Sequence, residues 1–97
     1  MIYEERKAVY EDAIHAYGVQ AQLLMVLEEM SELQKEICKN FRGKDNRTAI
    51  AEECADLTIM LEQLRLIFGI NDDVNIQMDL KVRRLAERLG EIYGKKV

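Results

Sequence analysis

The segments "EEMSE", residues 28–32, and "EECAD", residues 52–56, set two groups of carboxylates into stretches whose other residues are largely apolar. Glu29 and Glu32 stand three apart, Glu36 follows four further on, and Glu53 and Asp56 are again three apart. Residues three or four apart share a helix face, so each segment offers a pair of carboxylates one turn long. Two like charges about 4 Å apart repel by roughly 4 kcal/mol at an effective dielectric near 20. Carboxylates gathered this way take up protons or a cation. With no histidine or thiolate arranged among them, hard oxygen donors favour Mg2+, Mn2+ or Ca2+ over zinc or copper, and Mg2+ commonly binds through carboxylates together with substrate phosphates.

The elements that must position these acids are helices. A first, about Tyr3 to Tyr17, carries Tyr3, Tyr10, Ile14 and Tyr17 on one face and stops at Gly18. A second, about Val19 to Asn40, has the stripe Leu23, Leu27, Met30, Leu33, Ile37 and Phe41. After the short loop "FRGKDN", with Asp45 or Asn46 as capping candidate, a third runs to about Phe68 on Ile50, Cys54, Leu57, Leu61, Leu64 and Phe68. Asn71 can cap a fourth, whose stripe is Val74, Met78, Leu85, Leu89 and Ile92. These stripes are expected to form the core of one all-α domain spanning residues 1–97, a four-helix bundle without internal repeat or linker. The short loop makes the second and third helices an antiparallel hairpin. A turn centred at Arg42 and Gly43 then sets Glu29 level with Asp56 and Glu32 level with Glu53, a square of four carboxylates.

Composition narrows the class. The chain has 97 residues, 48% hydrophobic and 33% charged, without proline, which suits packed helices. A net charge of -4 argues against nucleic-acid binding. The N-terminal segment lacks an apolar targeting core and no run reaches membrane-span length, so a soluble cytoplasmic protein is expected. Cys38 and Cys54 lack metal-ligand spacing and read as small core thiols. A chain this short buries only about two thirds of its unfolded surface. Ile59 and Leu66, projecting away from the main stripe of the third helix, therefore point to a homodimer or a dimer of dimers.

Taken together, "EEMSE" and "EECAD", with "QLLMVLEEMSELQKEICKNFRG", "IAEECADLTIMLEQL" and "KVRRLAERL" around them, resemble the MazG-like family of all-α nucleoside triphosphate pyrophosphohydrolases. The likeness covers most of the chain after Gly18. It implies that Glu29, Glu32, Glu53 and Asp56 bind Mg2+ and are the catalytic acids. It further implies hydrolysis of a nucleoside triphosphate to the monophosphate and pyrophosphate, with noncanonical or surplus nucleotides as typical substrates, by dimers or tetramers of helical subunits. The first helix and the tail, which shape base recognition, match least.

The remaining assignments follow from what a triphosphate requires. Metal ions neutralise phosphate charge and activate water, and no P-loop or nucleophilic serine or cysteine arrangement offers another route. Glu28, Glu36 and Glu52 read mainly as exposed helix residues. Lys81 and Arg84, on one side of the fourth helix with Arg88, are the candidate phosphate ligands. Lys35, Lys39, Arg42, Lys44 and Arg47 surround the hairpin turn and read as helix-end complement and solvated loop. Gln22, Tyr10 and Tyr17 supply the amide and flat rings that base recognition needs, and His15 reads as a surface residue. A competing expectation is a non-catalytic helical oligomerisation or adaptor module with incidental acidic faces. A di-iron bundle fits poorly, since it wants Glu-x-x-His motifs and the chain has one histidine, far from the acids.

Overall fold

The computed structural model of the protein describes residues 1–94. It is all-α, with α1 at Tyr3–Tyr17, α2 at Val19–Phe41, α3 at Arg47–Phe68 and α4 at Asn71–Tyr93, and no strand among the described residues. None of these helices is long and apolar enough to cross a membrane. Glycines punctuate the elements. Gly18 alone joins α1 to α2, at φ 93° and ψ 153°, a region of backbone space that essentially only glycine occupies. Gly69 closes α3 in the left-handed conformation, its N–H bonding Leu66 O at 3.2 Å while Ile70 N–H reaches Arg65 O at 2.9 Å, which satisfies carbonyls a helix end would otherwise leave bare.

Helix starts differ from expectation. Asn46 precedes α3, but its side chain caps nothing; its amide instead donates to Glu36 O at 2.8 Å and Glu36 Oε1 at 3.0 Å. Ile70, not Asn71, is the residue before α4, and Asn71 is its first helical residue.

The hairpin of α2 and α3 is the main packing unit, and α1 lies against both helices. Its register follows the expected pairing: Gln22 Nε2 donates to Gln63 Oε1 at 2.7 Å, both residues being buried. At the other end the Asn46 latch closes the turn, assisted by Lys39, which bonds Glu36 at 2.8 Å. Glu36 is therefore buried rather than exposed.

The core is not where the stripes put it. The buried apolar side chains among the described residues are Tyr10, Val26 and Met60, while Leu27, Met30, Ile37 and Phe41 of α2 are exposed. The reason is that α2 meets α3 through the neighbouring face, Gln22, Val26, Leu33 and Glu36, and so leaves most of its apolar stripe unpacked. Cys38 and Cys54, expected in the core, are both exposed for the same reason. Leu66 is half-buried beside Ile14 and Val19 at the end of α1, whereas Ile59 is exposed. Among the helices α4 touches α3 only. Arg65 anchors its start, bonding Asn75 at 3.2 Å.

Candidate metal and nucleotide site

The level pairing of the hairpin brings Glu29 of α2 together with Glu53 and Asp56 of α3. One carboxylate oxygen from each lies within 4.8 Å of the others. Glu29 and Glu53 are half-buried and Asp56 is exposed, so the group opens to solvent on one side. Partial burial, then the charges of Asp56 and Glu53, push the Glu29 carboxyl above its ordinary value. Burial, then Asp56 and Glu32, do the same to Glu53.

Glu32, expected as the fourth corner, stands outside the group of three and pairs with Lys35 at 3.8 Å. Its charge is nevertheless felt at Glu53. Glu28 and Glu52 are exposed. Glu36 belongs to the hairpin latch, where Lys39 and then Asn46 hold its carboxyl below the ordinary value.

The donor set fits a hard divalent cation. Three carboxylates from two helices converge without nitrogen or sulfur donors, and a cation would offset the burial and the mutual repulsion that raise two of them. Open coordination positions would remain for water or phosphate oxygens, as Mg2+ prefers.

The three residues expected to recognise a base separate. Tyr17 and Gln22 line one cavity of about 540 Å3 with Ala21, Leu24, Met25 and Met60. Met25 stands four residues before Glu29, and Met60 four after Asp56. The cavity thus lies one helical turn along the hairpin from the acids. Tyr10 is elsewhere: it is buried, and its hydroxyl donates a hydrogen bond to Glu62, which also faces Arg6 at 3.6 Å. Its burial and its bond to Glu62 make it a packing anchor of α1 on α3, and burial, then Glu62, raise its phenol above the ordinary value. Gln22 spends its amide N–H on Gln63, a partner the hairpin register extended toward the N-terminus of α2 would have named. Met25 and Met60 carried no sequence signal beyond apolarity.

Lys81 and Arg84 are exposed on α4. Since α4 makes no contact with α2, one chain does not bring them to Glu29. Lys81, near the middle of α4, borders a shallow depression along the first half of its own helix with Ile70, Val74 and Met78.

No protein-family model, curated protein or solved structure significantly matches this chain, so the functional reading rests on the residues themselves.

Proposed function

We propose that the protein is a Mg2+-dependent nucleotide pyrophosphohydrolase, which cleaves a nucleoside triphosphate to the monophosphate and pyrophosphate in nucleotide-pool house-cleaning. The observation that carries this reading is the convergence of Glu29, Glu53 and Asp56 from the two arms of one hairpin, with two of the three carboxyls raised by burial and by one another. The motif resemblance supplies the reaction, and the adjoining cavity supplies room for a nucleoside.

In this reading Glu29, Glu53 and Asp56 hold the cation, Mg2+ or alternatively Mn2+. Glu32 joins them by releasing Lys35, an exposed pair of the kind that contributes little. A bound cation supplies charge neutralisation and polarisation of the phosphoryl oxygens. A raised carboxyl not engaged by the cation is suited to accept a proton from the attacking water. Met25 and Met60 offer apolar walls to a base, and the exposed ring of Tyr17 offers a face to stack on. The protein's other partner is a second copy of itself. Lys81 and Arg84 keep their phosphate-binding role if the α4 of that copy brings them to the acids, since their own α4 does not touch α2.

The exposed apolar faces also suit the competing reading, a helical oligomerisation module. Thermal melts with and without Mg2+ and a non-hydrolysable nucleoside triphosphate separate the two. A ligand at 100 times its dissociation constant adds about 2.7 kcal/mol. The pyrophosphohydrolase reading expects a rise with Mg2+ and a further rise with nucleotide. Unchanged melts in both would overturn it in favour of the module.

A further inference from the structure

A second cavity lies on the far side of α3 from the acids. Tyr3 of α1, Thr58, Glu62 and Arg65 of α3, and Asn71 and Asn75 of α4 line a space of about 560 Å3, a size suited to a small organic ligand. At 100° per residue, Thr58, Glu62 and Arg65 stand about 180–240° round α3 from Asp56. The cavity is therefore separate from the acid group and from the space beside Met25 and Met60.

Arg65 is its electrostatic centre. The residue is half-buried, and its guanidinium donates to Asn75 Oδ1 at 3.2 Å and to Met78 Sδ at 3.7 Å. Neither acceptor carries charge, and among the described residues no carboxylate pairs with it. Glu62, one turn earlier on the same helix, is the partner that the spacing would supply. It instead faces Arg6 at 3.6 Å and accepts the Tyr10 hydroxyl. A partly desolvated guanidinium that spends its donors on an amide oxygen and a thioether keeps capacity for an anion, and its planar fork fits phosphate or carboxylate.

The other walls add polar groups and a flat ring. Tyr3 is half-buried, and the Arg6 guanidinium lies 5.5 Å from its ring centroid, so Arg6 ties the ring to Glu62. The amide of Asn71 forms no hydrogen bond among the described residues, and Asn75 uses only its oxygen. Their Nδ2 donors therefore stay available, four residues apart on one face of α4. Asp72 and Asp73, also at the start of α4, are exposed and do not line the cavity. A guanidinium, a flat ring, amide donors and a carboxylate are what recognise a phosphate, a base, the acceptors on its edge and sugar hydroxyls.

Charge sets the number of phosphates. Arg6 and Glu62 offset each other, so Arg65 leaves one uncompensated positive charge at the cavity. That suits one phosphate group. A triphosphate would bring further negative charge, with no other lysine or arginine lining the cavity to receive it.

We propose that this cavity is a second ligand site, which binds a nucleoside monophosphate with its phosphate on Arg65, its sugar hydroxyls toward Glu62 and its base against Tyr3 and the amides of Asn71 and Asn75. Among the helices α4 meets α3 alone, so a ligand spanning Arg65 and Asn71 braces α4 against α3. The site uses none of the acids and no metal, and it stands apart from the enzymatic reading.

The test uses the full native chain, 15N-labelled, in buffer with a chelator, so its outcome leaves the pyrophosphohydrolase reading untouched. Titration with a panel of nucleoside monophosphates should shift the cross-peaks of Thr58, Glu62, Arg65, Asn71 and Asn75, side-chain amides included, and leave those of Glu29 and Glu53 in place. The best monophosphate should bind about tenfold or more tightly than its nucleoside, its triphosphate or inorganic phosphate. Arg65→Gln should weaken it by a similar factor. Asn71→Asp keeps the shape of the side chain and suits a helix start, and it should weaken binding too by setting a carboxylate in the cavity. Arg83→Gln, which removes an exposed cation paired with Asp79, should leave the affinity unchanged. If Arg65→Gln loosens α4, Asn71→Asp and the native titrations decide. No shifts at millimolar monophosphate, shifts confined to the acids, affinity unmoved by Asn71→Asp, or inorganic phosphate binding as tightly as the monophosphate would each overturn the proposal.

Discussion

At the scale of single residues, Glu53 and Glu36 occupy opposite electrostatic situations that their sequence surroundings do not separate. Both read as glutamates on helix faces, yet Glu53 shares its surroundings with other acids, and Glu36 is clasped by Lys39 and Asn46. The raised carboxyls of Glu29 and Glu53 bind protons more tightly folded than unfolded. Without a cation they therefore cost stability increasingly as pH rises through the carboxylate range. The lowered carboxyl of Glu36 works the other way: its contribution is complete above the unfolded carboxylate value and is lost as pH falls through the folded one. Melting temperatures recorded between about pH 4 and 8 should show both signs. In metal-free buffer at neutral pH, Glu53→Gln should melt higher than the native protein and lose the rise that Mg2+ induces. A variant less stable than native, with the Mg2+ response retained, would remove Glu53 from the site.

At the scale of elements, two short connections set the geometry that the acids depend on. Gly18 turns the chain between α1 and α2 at φ 93° and ψ 153°, with open space where a side chain would stand. Gly18→Ala should cost about 1–3 kcal/mol through backbone strain alone, read by urea denaturation. Asn46→Ala removes two hydrogen bonds to Glu36 and should cost about 1–3 kcal/mol by leaving buried polar groups short of partners. Its stability should also fall off at a higher pH than the native protein's, because Glu36 loses part of what lowers its carboxyl. The four helices were legible in the sequence because apolar periodicity and Gly18 and Gly69 mark them without competing signals. The hairpin register was legible too, since a short loop leaves few alternatives, and it brought Glu29 level with Asp56. The buried face of α2 was not legible. Its most apolar stripe predicts the core, whereas Gln22 and Glu36 are buried by forming hydrogen bonds that no hydrophobicity pattern encodes. Tyr10 is buried, as its stripe on α1 implies, but its partner Glu62 lies two helices away and no local spacing names it.

At the scale of the whole molecule, the second copy proposed above would account both for the apolar surface left by one chain and for the separation of α4 from the acids. If Lys81 and Arg84 serve a partner's acids, then Glu53→Gln and the double variant Lys81→Ala/Arg84→Ala, each inactive alone, should regain activity when refolded together. Hybrids restore one complete site, and a mixture no more active than its parts would exclude supply in trans. All of this concerns how the acids are furnished, and the central claim is what they do. The most direct measurement of it is release of pyrophosphate from a panel of standard, deoxy and damaged nucleoside triphosphates, with and without Mg2+. The account predicts Mg2+-dependent release of pyrophosphate and monophosphate from at least one of them, abolished in folded Glu53→Gln. No release across the panel, or full activity in that variant, would contradict it.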